Sequence, residues 1–123
     1  MHRSQLGGFI IDCLTGDLDG AAEFWSAALG FPAKPSTELN YVSFSTGPNG
    51  LAIEVQKVDH PNRVHLDIES DDVEAEVARL EKLGAKRIEK KRTWWIMEAP
   101  TGHHFCVIRA KRAEFAREAN IWK

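Results

Sequence analysis

Apolar and polar side chains alternate most clearly in RVHLDIE, residues 63–69, where Val64, Leu66 and Ile68 take turns with Arg63, His65, Asp67 and Glu69. A period of two predicts a strand with one apolar and one polar face, and it sets His65 and Asp67 side by side on the polar one. The period then changes. Asp71 and Glu74 have capping-box spacing, Val73, Val77 and Leu80 form one stripe, and Gly84 is placed to stop a helix. The face carrying His65 and Asp67 is therefore expected to look away from that helix.

The same order of elements occurs earlier in the chain. GGFIIDCL, residues 7–14, reads as a strand with Gly8, Ile10 and Asp12 on one face and Phe9, Ile11 and Cys13 on the other. Asp17 is the N-cap candidate of a helix that turns Ala21, Ala22, Trp25 and Leu29 inward and ends at Gly30. FPAKPS, residues 31–36, contains two prolines, which restricts it to a short edge strand or a loop. NYVSFSTG (40–47), a PNG turn (48–50) and LAIEVQKV (51–58) read as a hairpin. After Gly84, AKRIEKKR gives one short strand, TWWIMEA (93–99) a second, PTG (100–102) a turn and HHFCVIRA (103–110) a third. Residues 111–123 read as a helical tail with Phe115, Ala116 and Ala119 on one side.

The two halves are related. PNGLAIEV (48–55) lies over PTGHHFCV (100–107) as Pro-x-Gly-x-x-apolar-x-Val, which matches Ile53 with Phe105 and Glu54 with Cys106. The interval from Asp17 to Gly30 equals that from Asp71 to Gly84. Residues 1–110 thus read as one domain of two βαβββ modules, about 6–58 and about 63–110. Neither module covers both faces of its own sheet. The expected fold is α+β, with paired modules forming a curved mixed sheet around a cleft and the helices outside.

Composition narrows the partners more than the chemistry. A length of 123 residues, 43% hydrophobic and 28% charged, is ordinary for one soluble domain, and a net charge of -2 gives no argument for nucleic acid or membrane. The basic run KRIEKKR (86–92) reads as a strand edge whose lysines discourage pairing with other sheets. Cys13 and Cys106 are the only cysteines, and the chain has neither an apolar leader nor a bilayer-length run. A cytoplasmic protein with free thiols is the expectation.

Three stretches carry a family likeness: DLDGAAEFWSAALGF (17–31), NRVHLDIESDDVEAEVARLEKLGA (62–85) and WWIMEAPTGHHFCVI (94–108). They resemble the vicinal oxygen chelate superfamily, which contains glyoxalase I, the bleomycin and fosfomycin resistance proteins and the extradiol dioxygenases, and look most like its glyoxalase-like branch. The resemblance implies a homodimer. It also implies metal ligands, usually His, Gln or Glu, at inward positions on the first and last strands of each module. His65 and Glu54 occupy two of those positions. The counterpart of His65 in the first module is Ile10 in the simplest register, or Gly8 if the turn near Thr15 and Gly16 is an insertion; the counterpart of Glu54 is Cys106. Two suitable ligands fall short of the three that a catalytic zinc or facial-triad iron uses. A divalent metal (zinc, nickel, iron or manganese) needs a further ligand from Asp12, Asp67, His104, Cys106 or a partner chain.

The function expected is a glyoxalase-like or bleomycin-resistance-like protein that binds a small organic molecule. Glu54 and His65 are the candidate catalytic residues; Asp12, Asp67, Trp94, Trp95, His104 and Cys106 are candidate ligand contacts. With a metal, the resemblance implies Lewis-acid polarisation of two substrate oxygens, and Glu54 or Asp67 moves a proton. Without one, Glu54 is a general base and neutral His65 donates to a developing oxyanion. TWWIM presents one of Trp94 and Trp95 to each sheet face, and the pattern does not choose between them. His103 follows a turn and reads as exposed, whereas His104 shares the inward phase of Cys106. The alternatives are a divalent-metal-dependent lyase, isomerase or dioxygenase, and an accessory dimerisation domain without a ligand. A purely structural role also stands, in which His65 and Asp67 hydrogen-bond across the sheet with Arg63 or Glu54.

Overall fold

The computed structural model describes residues 1–35, 39–47, 50–111 and 114–123. Pro48 and Asn49 of the expected PNG turn, Ser36 of the proline-rich segment, and Arg112 and Ala113 of the tail lie outside the described residues. The elements run β1 (His2–Cys13), α1 (Leu18–Leu29), β2 (Tyr41–Ser43), β3 (Ala52–Lys57), β4 (Arg63–Ser70), α2 (Val73–Lys82), β5 (Lys86–Lys91), β6 (Trp94–Glu98), β7 (His104–Arg109), α3 (Phe115–Glu118) and β8 (Asn120–Trp122). This is an α+β chain with mixed strand pairing, as the pattern predicts. It divides into two compact units, Gly8–His65, and Met1–Gly7 with Leu66–Lys123, so that β1 and β4 each run through a point of division.

In the unit Gly8–His65, β1 pairs parallel with β3 and β3 antiparallel with β2. An isolated bridge between Ala33 and Phe44 stands where a further strand would be. Pro32 and Pro35 supply no N–H for a ladder, which keeps that segment to a single bridge. α1 is fixed at both ends: Asp17 Oδ1 accepts the Gly20 N–H at 2.9 Å, and Gly30 enters the left-handed region (φ 76°) to give its N–H to Ser26 O. Between these caps Ala22 packs on Phe44 and Val55, with Ile11, Cys13, Leu18, Trp25, Val42 and Ile53 around them. Leu29, expected inward, is 42% exposed. The Gly30 turn and a 2.7 Å bond from Ser26 Oγ to Phe31 O bring Phe31 onto this core instead.

The other unit repeats the scheme. β4 pairs parallel with β7, β7 antiparallel with β6, and β6 antiparallel with β5. α2 lays Val77 and Leu80 on Met97 and Val107, with Ile68, Val73, Ala85, Trp95 and Phe105 packed at the sides. Its N-cap is Asp72 and not Asp71: Asp72 Oδ1 accepts the Ala75 N–H at 3.0 Å, while Asp71 is drawn away to accept the Arg3 N–H at 2.8 Å. Nor does Glu74 close a capping box, because its carboxylate takes the Trp95 Nε1–H at 2.8 Å and Arg87 Nη1 at 3.0 Å. The equal Asp-to-Gly intervals therefore do not mark equal helices; α2 has 10 residues and α1 has 12. Gly84, at φ 106°, stops α2 as expected, with the Ala85 N–H returning to Leu80 O.

Among the described residues of the expected helical tail, Phe115–Glu118 alone are helix, and β8 then pairs antiparallel with the start of β1, His2 opposite Trp122. A polar cluster lies beneath it. Glu76 on α2 is fully buried, receives Arg79 Nε and Nη2 at 2.8 Å each, and hydrogen-bonds His2 Nε2 at 2.9 Å. The Arg79 guanidinium stacks 3.8 Å from the Trp122 ring centre, and Trp122 Nε1–H donates to Ser4 Oγ at 2.8 Å. Burial pushes the Glu76 carboxyl up, but hydrogen bonds from Arg79, His2 and Ser4 outweigh it and hold the carboxyl below its ordinary value. A depressed folded-state pKa adds stability above the unfolded carboxylate value of about 4.3 that is lost as pH falls through the folded value. Glu76→Gln is expected to lower stability at neutral pH by about 3 kcal/mol. In urea titrations at a series of pH values, its deficit should shrink on acidification below the unfolded value.

Candidate functional site

The helices decide which face of each strand remains for chemistry. In the second unit Ile68, Trp95, Met97, Phe105 and Val107 belong to the α2 core. Strand alternation therefore turns Asp67 and Glu69, His104 and Cys106, and Trp94, Ile96 and Glu98 to the opposite face. Backbone pairing lines them up: Asp67 is opposite Cys106, Cys106 opposite Ile96, and His104 opposite Glu98. This resolves the two tryptophans. Trp95 is a core residue tied to Glu74, with the Arg87 guanidinium 4.9 Å from its ring, so it is removed from the candidate ligand contacts. Trp94 is the tryptophan on the face opposite the helix. His103 is exposed and hydrogen-bonds Thr101 Oγ1 at 2.7 Å.

In the first unit Ile11, Cys13, Ile53 and Val55 face α1, which leaves Gly8, Ile10, Asp12 and Glu54 on the other side. The Cys13 thiol donates to Ile11 O at 3.4 Å, packs at the edge of the α1 core, and has its pKa raised by burial and by the Asp12 charge. The ladders also settle which residue is the counterpart of His65. Glu54 pairs with Ile10 as Cys106 pairs with Asp67, so Ile10 corresponds to Asp67 and Gly8 to His65. Gly8 is locked: a Cβ there would stand 2.0 Å from Ala52 O and 2.8 Å from its carbonyl carbon. The four-position metal arrangement that the resemblance implies does not fit this chain. One of its positions has no side chain and no room for one.

What the first unit does supply is a support for His65. Asp12 is 2% exposed, and its Oδ2 accepts from His65 Nδ1 at 2.8 Å and from Arg63 Nε at 3.3 Å, with His60 Nε2 at 3.9 Å. A carboxylate oxygen accepts, so this contact assigns the proton to Nδ1. Asp12 Oδ1 is buried with no hydrogen-bond partner among the described residues. Asp12, a candidate ligand contact, is buried and hydrogen-bonded to His65 Nδ1. Arg63 and His60, which the sequence pattern did not single out as site residues, share the same carboxylate. Residues 51 and 53 apart meet there, and no local motif signals such a meeting.

Within the unit that contains α2, Asp67 on β4 and Cys106 on β7 stand opposite one another on the face turned from the helix. A separate hollow of about 700 Å³ at the start of α2, lined by Asp72, Glu74, Lys90, Arg92 and Arg109 among others, contains none of these side chains. No helix among the described residues is long and apolar enough to cross a membrane.

Two βαβββ repeats, each with its first strand parallel to its last, define the class: the glyoxalase, bleomycin resistance protein and dioxygenase superfamily. Residues 8–108 match the family model described as glyoxalase-like domain, and the chain belongs to that family. None of the curated proteins compared matches it. Similar solved structures include an NAD-dependent benzaldehyde dehydrogenase from Legionella pneumophila (11% identity, 84% of this chain and 99% of that one, TM-score 0.63). A glyoxalase/bleomycin resistance protein/dioxygenase superfamily member from Vibrio splendidus is another (14%, 87% and 97%, 0.56). The Mn(II)-bound glyoxalase from Novosphingobium aromaticivorans covers 92% of this chain, which spans 44% of that protein (17%, 0.61). Identities this low, with names this different, establish the fold and not a shared reaction.

The His65–Asp12 contact makes a direct prediction. In ¹⁵N spectra the His65 ring should show the Nδ1-protonated tautomer in the native protein, and Asp12→Asn should lose that single form. An unchanged tautomer in the variant would contradict the role given to Asp12.

Proposed function

We propose that the chain is a glyoxalase-like binding protein for a small organic molecule that carries a hydroxyl beside a carbonyl, or an aromatic ring with adjacent oxygens. The observation that carries this reading is the 2.8 Å contact between His65 and the buried Asp12 carboxylate. An imidazole backed by a buried carboxylate is fixed in orientation and strengthened as a base at Nε2, and the carboxylate stabilises the imidazolium when a proton is taken. His65 then accepts a hydrogen bond from the ligand hydroxyl, or removes a proton next to its carbonyl. Asp67 follows His65 on the same face of β4 and can hold a second ligand donor. Trp94 and Ile96 supply apolar surface for a ring. Glu54 is the second candidate for moving a proton.

The test is a thermal-shift and calorimetric screen of chelator-treated full-length protein against α-hydroxycarbonyl compounds and catechol-like aromatics. At least one class should raise the melting temperature. His65→Ala and Trp94→Ala should each weaken its binding about tenfold or more, the loss of one charge-assisted or stacking contact. Trp95→Phe should lower stability instead and leave the affinity within about threefold, since Trp95 belongs to the α2 core. A panel with no responding compound, or a ligand indifferent to His65→Ala, would overturn this reading. A divalent-metal-dependent lyase, isomerase or dioxygenase is the second reading, favoured by Asp67 standing opposite Cys106 on the face turned from α2.

A further inference from the structure

We infer that the hollow of about 700 Å³ beside α2 binds a phosphate-bearing small molecule, with the phosphate held by Arg92, Arg109 and Lys111 and the apolar remainder resting on Val73 and Phe115. Every residue that lines it lies within the unit that contains α2, and neither Asp67 nor Cys106 is among them. The inference is therefore independent of the role given to His65.

Strand alternation puts the cations there. Val107 belongs to the α2 core, so Arg109, two residues further along β7, leaves the sheet on the helix side. Lys90 leaves β5 opposite Trp95, another residue packed on that core. Arg92 follows in the turn between β5 and β6, and Lys111 follows the end of β7. Cationic side chains from two distant stretches of the chain thus line one concavity.

Their lack of partners sets them apart. In the same unit, Glu76 matches Arg79 at 2.8 Å, and Glu81 and Glu74 match Arg87 at 3.0 Å each. Arg92, Arg109 and Lys111 make no ion pair with any described residue. The carboxylates that share the hollow already accept from the protein: Glu74 from Trp95 Nε1 and Arg87, Asp72 from the Ala75 N–H, and Asp71 from the Arg3 N–H. Lys90 reaches Glu74 only at 3.9 Å. Unmatched like charges around a concavity repel one another, and its low-dielectric walls focus their field on whatever anion enters.

The donors also select the anion. A guanidinium is a planar fork that takes phosphate oxygens two at a time, and an ammonium adds a point charge. A terminal phosphate has oxygens for all three cations, whereas a carboxylate has only two. Phe115 is buried and, with Val73, gives the hollow an apolar wall. The volume lies in the range of small-molecule sites, roughly 300–1,000 Å³.

The experiment titrates ¹⁵N-labelled full-length protein with phenyl phosphate, inorganic phosphate and benzoate, at about 0.15 M salt so that diffuse surface attraction is screened. Amide shifts locate the site and calorimetry gives the affinity. Phenyl phosphate should shift the amides of Val73, Glu74 and Ala110 saturably, inorganic phosphate should do so more weakly, and benzoate should bind about tenfold or more weakly than phenyl phosphate. Arg92→Gln combined with Arg109→Gln should weaken phenyl phosphate about tenfold or more, and Lys111→Gln alone should act in the same direction. Lys57→Gln, which removes an exposed cation of the other unit, should leave the affinity unchanged. The amide spectra of the free variants check that they are folded. Three results overturn the inference: no saturable shift at those amides, benzoate bound as tightly as phenyl phosphate, or Lys57→Gln costing as much as the loss of both arginines.

Discussion

The buried carboxylate of Asp12 is the constraint on which the chemical character of this protein depends. A carboxylate at 2% exposure is costly unless its oxygens are matched by donors. Here the matching is done by His65, Arg63 and, at longer range, His60. Because Oδ2 takes these contacts, the His65 imidazole is held in one orientation and one tautomer. An exposed histidine on a strand samples several rotamers. A histidine held in this way does not, and that difference separates a site from a polar stripe.

Around that fixed point the two repeats divide the work unequally. The unit Gly8–His65 builds a core under α1 and contributes Asp12 and its partners, but the first repeat has Gly8 where the second has His65, and a Cβ at Gly8 would collide with Ala52 O. The unit containing α2 packs the more regular core, and its opposite face carries Asp67, His104, Cys106 and Trp94. The buried Glu76, Arg79 and His2 cluster, with the Arg79 guanidinium stacked on Trp122, ties α2 to the start of β1 and to β8 in that unit.

Much of this was legible in the chain. The period-two runs located the strands of both repeats, the Asp17 and Gly30 caps located α1, and the Pro-x-Gly repeat aligned Glu54 with Cys106 correctly. Local chemistry misled where long-range contacts outbid it. Asp71 has capping-box spacing, but the backbone of Arg3 takes its carboxylate, and the cap passes to Asp72. Trp94 and Trp95 were indistinguishable because alternation fixes that they differ and not which one faces the helix; the Met97 and Phe105 packing decides. Leu29 lies on the right stripe of α1, yet the Gly30 turn gives its place to Phe31. The choice between Ile10 and Gly8 needed the strand register, and the pairing of Asp12 with His65 needed the fold itself, since 53 residues separate them.

The central claim is that Asp12 holds His65 in one orientation. A crystal structure of the full-length protein at a resolution that fixes the imidazole ring tests it most directly. The account predicts His65 Nδ1 within hydrogen-bonding distance of Asp12 Oδ2 and the ring in a single rotamer. A ring swung out to solvent, with Asp12 paired to Arg63 alone, would contradict it.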